Sequence, residues 1–288
     1  MHYHTPASFD EAAALAASAT GITRFLAGGT DVLVQLRADI VTPDTLIDIK
    51  HIAGVHDIIQ MPNGGWQIGI AVTGAEMTEH PALAAAWPGV VEAMDLVGST
   101  QIQGRATLTG NLCNGSPAAD SVPAMVAADA SVSVCGPKGA HKVAVLDIPT
   151  APGRTSLAKG EMVTAINLPA REPGGGDAYL RFIPRTEMDI AVVGCGVNLR
   201  VDGGKITHAR VSLGAVAPTV LLVGEAADAI IGSTLDDAAL DRLAAAASAA
   251  CNPIDDKRGT IEFRIHVAGV LARRTAKIAY DRAIAAGE

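Results

Sequence analysis

The sequence predicts an α+β protein of two domains. Its 288 residues exceed the usual size of one domain and can bury two hydrophobic cores. The run REPGGGD at 171–177 predicts a linker, because Pro followed by three glycines disfavours a regular element. Strand-like stretches at 190–201, 206–216 and 219–223 then precede helical stretches at 235–250 and 262–285, an order typical of an α+β domain. We therefore expect domains at residues 1–174 and 178–288.

The first domain is predicted to contain two subdomains, at about 1–55 and 56–174. Ser8 is expected to cap a helix, with Glu11 in the capping-box position and Gly21 beyond its end. The elements predicted in the first subdomain are a helix at 8–19, a strand at 23–27, a helix at 32–38 and a strand at 45–49. This order predicts a small βαβ layer.

The second subdomain combines regular elements with a long polar segment. Strands are predicted at 66–72 and 131–135, and helices at 75–86 and 88–96. Residues 98–121 are too polar for a core helix and too long for an idle loop. We interpret this segment as a binding segment.

Composition and charge exclude several classes of function. The formal net charge of -8 disfavours a nucleic-acid partner, which requires a basic surface. No stretch of about 20 apolar residues predicts a membrane span, and the opening residues lack the pattern of a secretion signal. The four cysteines are too far apart in sequence to indicate a metal site. We expect a cytoplasmic protein with reduced thiols and no metal of its own.

The segment FLAGGTD at 25–31 places Gly28 and Gly29 between a predicted strand and a predicted helix. A backbone without Cβ atoms can approach a phosphate closely, and the amides of residues 28–32 would supply hydrogen-bond donors. The Asp31 carboxylate or the Thr30 hydroxyl is expected to cap the following helix. Taken alone, the glycine pair is equally explained as a tight turn.

A second loop, TLTGN at 107–111, is followed by Asn114, Ser116 and Asp120. Its hydroxyls, amides and carboxylate suit a ligand rich in phosphate and ribityl hydroxyl groups. A simple capped turn is the alternative. The presence of both loops in one chain favours a phosphate-containing ligand.

Sequence motifs of conventional catalysis are absent. The chain contains no GxGxxG fingerprint, no Walker-type Gly-Lys-Ser/Thr, no HExxH and no GxSxG. The eight histidines are dispersed. We assign no catalytic residue from the sequence.

AGGTD at 27–31 and TLTGNLCNGSPAADS at 107–121 resemble the two FAD loops in the medium subunits of molybdenum hydroxylases of the xanthine dehydrogenase and carbon monoxide dehydrogenase type. Further segments resemble the same family in the same order. They are PGRTSLAKGEMVTAINLP at 152–169, AYLRFIPRTEMDIAVVGC at 178–195, SLGAVAPT at 212–219 and the final helix. The resemblance therefore covers the whole chain.

The resemblance implies a two-subdomain FAD-binding domain of the vanillyl-alcohol oxidase and p-cresol methylhydroxylase type. A C-terminal α+β domain of the carbon monoxide dehydrogenase flavoprotein type would follow it. FAD would be bound to this chain, whereas the molybdenum cofactor and the [2Fe-2S] clusters would lie on a large molybdopterin-binding subunit and a small iron-sulfur subunit. The complex would be a heterotrimer or a dimer of heterotrimers. This chain would pass electrons from the clusters to an external acceptor.

The resemblance also implies a set of residues that bind the cofactor. They are Leu26, Ala27, Gly28, Gly29, Thr30, Asp31, Val32 and Leu33 in the first loop, Thr107, Leu108, Thr109, Gly110 and Asn111 in the second, and Asp120, Val163 and Arg181 elsewhere. Asp120 would bond flavin-chain hydroxyls, and the Val163 backbone would touch the flavin ring. Arg181 would stabilise the charge of the reduced ring, with a surface salt bridge as the alternative. Val97 is either a further ring contact or part of the core.

One residue departs from the family pattern. The family usually has Thr-x-Gly-Gly-Asn, whereas this chain has Thr109 in place of the first glycine. We expect Thr109 to be extended, with its hydroxyl available as a further donor. Thr109 motivates one alternative, a scaffold subunit that has lost FAD. A stand-alone FAD-dependent oxidoreductase, which would need its own substrate pocket with a positioned acid or base, is the other alternative.

Overall fold

The structure is a computed structural model that describes residues 1–287; Glu288, the last residue of the second predicted domain, lies outside the described residues. The strands of the described part are β1 (His2–His4), β2 (Thr23–Leu26), β3 (Thr45–Asp48), β4 (Ile58–Gln60), β5 (Trp66–Gly69), β6 (Ser131–Gly136), β7 (Gly139–Ala144), β8 (Pro149–Ala151), β9 (Arg154–Thr155), β10 (Met162–Leu168), β11 (Gly175–Phe182), β12 (Val193–Asp202), β13 (Lys205–Gly214) and β14 (Leu221–Leu222).

The helices of the same part are α1 (Phe9–Ser18), α2 (Val32–Arg37), α3 (Gly74–Thr78), α4 (Pro81–Ala86), α5 (Pro88–Asp95), α6 (Thr100–Gln103), α7 (Leu108–Cys113), α8 (Ser121–Ala127), α9 (Gly224–Asp228), α10 (Asp237–Ala249) and α11 (Ile261–Ala285). Within residues 1–287, none of these helices combines the length and the apolar character that crossing a bilayer requires.

The first subdomain contains a three-stranded parallel sheet in the order β1-β3-β2. Helix α2 connects β2 to the parallel strand β3, as the predicted βαβ layer requires. The predicted cap of α1 is confirmed, because the Ser8 Oγ accepts a hydrogen bond from the Glu11 N–H at 3.2 Å. Strand β1 was not predicted, since its three residues carry no pattern of their own.

The second subdomain is built on a five-stranded antiparallel sheet in the order β4-β5-β10-β6-β7. The single helix predicted at 75–86 is wrong, since the chain forms α3 and α4 with a break at His80. Pro81 lacks an N–H and starts the new helix, and the His80 Nδ1 accepts from the Leu83 N–H at 3.2 Å. The polar segment at 98–121 folds into α6 and α7, with α8 beginning at its end.

The third sheet is antiparallel, in the order β11-β12-β13-β14, and packs against α11 and the short helix α8. The linker predicted at 171–177 is wrong in its second half, because Gly175 and Gly176 pair with Arg200 and Leu199 of β12. A Cβ atom on Gly176 would clash with the carbonyl oxygen of Ala279 in α11. Glycine is therefore present because helix and strand backbones are in direct contact. The five other elements predicted after residue 177 fall within three residues of their predicted ends, whereas the short helix α9 was not predicted.

Two hydrophobic clusters fill the protein, one formed mainly by residues before 169 and one formed by residues after 177. Helix α8 lies between them: a Cβ on Gly196 of β12 would be 2.6 Å from the carbonyl oxygen of Pro123 in α8. Tyr179 of β11 packs into the first cluster, although its strand belongs to the third sheet. This contact places the 107–121 segment directly against the C-terminal part of the chain. The domain ranges 1–174 and 178–288 themselves stay a prediction.

Candidate functional site

A cavity of about 580 Å³ opens in the N-terminal part of the chain. Its wall is formed by the turn after β2, the start of α2, the start of α7 and the segment that leads into β10. This volume lies in the range typical of small-molecule and cofactor sites. The two loops predicted from the sequence therefore face one common space.

Most of the predicted site residues lie in the wall of this cavity. They are Ala27, Gly28, Gly29, Thr30, Asp31, Val32, Thr107, Thr109, Gly110, Asn111 and Val163. Five predicted residues do not line it, namely Leu26, Leu33, Leu108, Asp120 and Arg181. Leu26 and Leu108 are core residues, and Leu33 is half exposed on α2.

The first loop presents backbone donors to the cavity. Within the described residues, the N–H groups of Gly28, Gly29, Thr30 and Asp31 donate no hydrogen bond to the protein. Gly29 has a φ of +77°, and a Cβ on it would lie 2.9 Å from the Leu26 Cδ1. The glycine is thus required by backbone conformation and by the core beneath the loop. Successive N–H groups in such a turn are suited to anion binding.

The predicted cap at the start of α2 is wrong. Asp31 occupies the N-cap position with φ −93° and ψ −50°, but its side chain accepts no capping hydrogen bond. Its helical backbone angles replace the extended conformation from which a side chain normally reaches back to the helix. Asp31 lines the cavity, and burial raises the pKa of its carboxyl group.

The second loop is a short helix instead of an open turn. The Thr107 Oγ1 accepts from the Gly110 N–H at 2.9 Å, and the Asn111 N–H donates to the Thr107 carbonyl at 3.0 Å. The extended conformation expected for Thr109 is wrong, since this residue lies in the first turn of α7. Its hydroxyl is buried and has no hydrogen-bond partner. The amides of Gly110 and Asn111 are already used, whereas those of Leu108 and Thr109 donate no hydrogen bond within the described protein.

The structure adds wall residues that the sequence prediction did not include. Thr23 contributes a second buried hydroxyl without a partner, and Arg24 and Lys159 contribute positive charge. Val97, which the sequence left open, also lines the cavity. The Lys-Gly pair at 159–160 just before β10 was a usable signal, because Gly160 has a φ of +85°.

Asp120 and Arg181 meet behind the cavity wall. The Arg181 Nη1 donates to the Asp120 Oδ2 at 2.6 Å, and the Tyr179 hydroxyl donates to the Asp120 Oδ1 at 3.0 Å. The side chains of the ion pair are 7% and 10% exposed, so the surface salt bridge considered for Arg181 is replaced by a buried one. Burial raises the pKa of Asp120 to about 6, although Arg181 and Tyr179 both favour the charged form.

Within residues 1–287, the cavity wall contains neither a reactive thiol nor a group of metal ligands. Cys113 lines the cavity, and burial raises the pKa of its thiol to about 12, which keeps it protonated. Among residues 1–287, no group of three or more His, Cys, Asp or Glu side chains is arranged to hold a metal ion. The wall therefore offers hydrogen-bonding groups and charges instead of a reactive thiol or a metal site.

A cavity walled by unpaired amides and hydroxyls between two small subdomains defines a protein that binds a phosphate-containing cofactor. The sequence profile described as the FAD binding domain in molybdopterin dehydrogenase matches residues 1–171, and that of the CO dehydrogenase flavoprotein C-terminal domain matches residues 178–279. The chain belongs to the FAD-binding subunits of the molybdenum hydroxylase family. The resemblance, the fold class, the oxidoreductase assignment and FAD as the cofactor of this chain are thereby confirmed.

Individual relatives agree with this assignment. The chain is 34% identical to the carbon monoxide dehydrogenase medium chain of Afipia carboxidovorans, over 98% of this chain and 97% of the relative. It is 29% identical to the xanthine dehydrogenase FAD-binding subunit of Escherichia coli O157:H7, over 99% and 97%. A chain of the solved carbon monoxide dehydrogenase from Hydrogenophaga pseudoflava superposes with a TM-score of 0.94 at 30% identity, and 98% of both chains is covered.

Proposed function

We propose that this chain holds one FAD noncovalently and transfers electrons from [2Fe-2S] clusters on a partner subunit to an external acceptor. The complex would also contain a large molybdopterin-binding subunit and a small iron-sulfur subunit. Relatives with the same length and fold are called medium chains of carbon monoxide dehydrogenases, a name that denotes one component of a larger enzyme. A cytoplasmic location accords with this role.

The observation that carries the proposal is the set of unpaired donors in the cavity wall. Four successive amides at residues 28–31 and the buried hydroxyls of Thr23 and Thr109 make no hydrogen bond within the described protein. Buried polar groups are nearly always satisfied, so the two hydroxyls indicate a partner in the cavity. The four amides belong to half-buried residues of the same wall and are free to bind that partner. A dinucleotide offers phosphate oxygens to the amides and ribose or ribityl oxygens to the hydroxyls. The residues present therefore fit FAD.

Each part of the wall then has a role toward the cofactor. The amides of 28–31 would hold the pyrophosphate, and Arg24 and Lys159 would offset its charge. Val97 and Val163 would supply apolar contact for a ring system. When bound, FAD supplies a carrier that takes up two electrons and releases them singly or in pairs. The protein itself binds and orients the cofactor and shields it from solvent.

The test compares two glycine variants in an FAD titration. Gly29→Ala should weaken binding by about tenfold or more, because alanine at φ +77° is strained by about 1–2 kcal/mol and its Cβ would press on Leu26. Gly204→Ala is the matched control, since Gly204 has a φ of +76° with open space around it and lies outside the cavity.

The control variant should bind FAD like the unmodified protein. Acid precipitation should release the flavin into the supernatant, as expected for a noncovalent cofactor beside a protonated Cys113. A chain that shows no affinity for FAD would refute the proposal and favour the scaffold alternative. Equal affinity of the Gly29→Ala variant would place the cofactor elsewhere.

A further inference from the structure

A buried cluster connects the C-terminal sheet to the cavity wall. Tyr179 and Arg181 alternate along β11, so both side chains lie on the same face of the strand, toward α8. They donate to different oxygens of Asp120, the residue that precedes the first turn of α8. The Tyr179 ring is 2% exposed and belongs to the N-terminal hydrophobic cluster. One carboxylate is therefore fixed by two side chains from the other part of the chain.

Ser121, the residue after Asp120, links this cluster to Asn111 in the cavity wall. Ser121 donates to the Asn111 Oδ1 twice, from its N–H at 3.2 Å and from its hydroxyl at 2.7 Å. Asn111 lines the cavity. Because its amide oxygen is occupied by Ser121, its amide nitrogen is the group that remains to donate to a ligand. The position of α8 thus sets the orientation of a side chain in the wall.

Gly194 in the third sheet leaves space for the Tyr179 hydroxyl. A Cβ on Gly194 of β12 would lie 2.6 Å from that oxygen. Gly194 therefore permits a hydroxyl at this position. A phenylalanine would fill the ring site equally well, so the hydroxyl is not explained by packing.

We infer that Tyr179 is a positioning residue for cofactor binding: its hydroxyl, together with Arg181, fixes the Asp120 carboxylate at the start of α8 and thereby fixes Asn111 in the cavity wall. This inference rests on the proposed function, since it presupposes FAD in the cavity. It assigns to the C-terminal sheet a direct part in shaping the site.

The electrostatics of the cluster give the inference a distinctive signature. Burial raises the pKa of Asp120 to about 6, and the hydrogen bonds from Tyr179 and Arg181 oppose that rise. Burial and the nearby Asp120 charge raise the Tyr179 pKa well above 10, with Arg181 opposing and Cys195 adding to the rise, so the hydroxyl remains a donor at neutral pH. Loss of the hydroxyl should raise the pKa of Asp120 further, and the carboxylate should take up its proton at a higher pH.

The experiment is an FAD titration of the full chain at a series of pH values from about 5 to 8. For the unmodified protein, affinity should fall as the pH drops through about 6. In Tyr179→Phe, this fall should begin about one pH unit higher. At pH values between the two transitions, the variant should bind FAD about tenfold more weakly than the unmodified protein. Asp120→Asn should abolish this pH-dependent fall in FAD affinity. Tyr280→Phe is the matched control, because its hydroxyl donates to the Gly204 carbonyl at 2.6 Å, outside the cavity.

The outcomes separate the inference from the proposed function. The positioning role is supported if the fall in FAD affinity shifts to higher pH in Tyr179→Phe while the pH dependence of affinity in Tyr280→Phe is unchanged. A uniform loss of affinity at every pH would indicate a merely structural role and overturn the inference, as would an unchanged profile. If the unmodified chain binds no FAD at any pH, the proposed function itself fails. Thermal unfolding of each variant verifies that the fold is retained.

Discussion

At the scale of single residues, Thr109 shows how a departure from a family pattern can be accommodated. The sequence predicts an extended Thr109 whose hydroxyl is available as a further donor. The residue instead lies in the first turn of α7, and its side chain is 9% exposed in the wall. Its hydroxyl lacks a partner within the described protein. The side chain therefore adds a donor to the cavity at the expense of the free protein's stability.

This arrangement predicts opposite effects of Thr109→Val on stability and on binding. Valine has nearly the same shape but no hydroxyl. The free energy of unfolding without FAD should rise by about 1 kcal/mol, because an unsatisfied buried group is removed. FAD affinity should fall by about five- to tenfold, because a hydrogen bond to the cofactor is lost. Urea unfolding and FAD titration measure the two effects.

Ser212→Ala is the control for this experiment. The Ser212 hydroxyl is also buried and unpaired, but the residue lies in β13 outside the cavity. The variant should gain stability and keep its FAD affinity. A Thr109→Val protein that binds FAD as tightly as the unmodified chain would show that this hydroxyl does not contact the cofactor.

At the scale of helices and strands, the sequence predicted elements wherever a local pattern determined them. The βαβ layer and α11 follow from hydrophobic periodicity, and α1 follows from the capping residue Ser8. The prediction failed at Gly175 and Gly176, because glycine between strands and glycine in a linker give the same local signal. It also missed Thr23, which enters the cavity wall only through tertiary packing, and Lys159, although the Lys-Gly pair before β10 was a usable signal. The burial of Arg181 against Asp120, which lie 61 residues apart, has no local signal either.

The close approach of α11 to β11 predicts a large effect of Gly176→Ala. The new Cβ would clash with the Ala279 carbonyl and press on the Ala283 backbone, so the helix must move away from the sheet. We expect the free energy of unfolding to fall by about 1–3 kcal/mol, the usual effect of overpacking. Gly224→Ala, at a site with open space at the start of α9, should change it by less than about 1 kcal/mol. Equal stability of the two variants in urea would contradict the packing argument.

At the scale of the whole molecule, two cavities of similar volume lie in different parts of the chain. The first is lined by residues between 16 and 163, and the second, of about 610 Å³, by residues between 173 and 287. They share no lining residue. An organic substrate in the second cavity would therefore not touch a cofactor in the first. This separation accords with the proposed function, in which electrons would reach the cofactor from a partner subunit.

This separation predicts that the isolated, FAD-loaded chain is not reduced by organic substrates. Under anaerobic conditions, a panel of aldehydes and N-heterocycles should leave the oxidised-flavin absorbance unchanged, whereas dithionite should bleach it and prove the flavin reducible. Co-expression with the large and small subunits should yield a complex in size-exclusion chromatography, and its flavin should be bleached by at least one of these substrates. Residues 1–287 contain no group of three or more His, Cys, Asp or Glu side chains arranged to hold a metal ion, so on the proposed function we expect reduction to depend on the partner subunits. Rapid bleaching of the isolated chain by an organic substrate would overturn the subunit role and establish a stand-alone oxidoreductase.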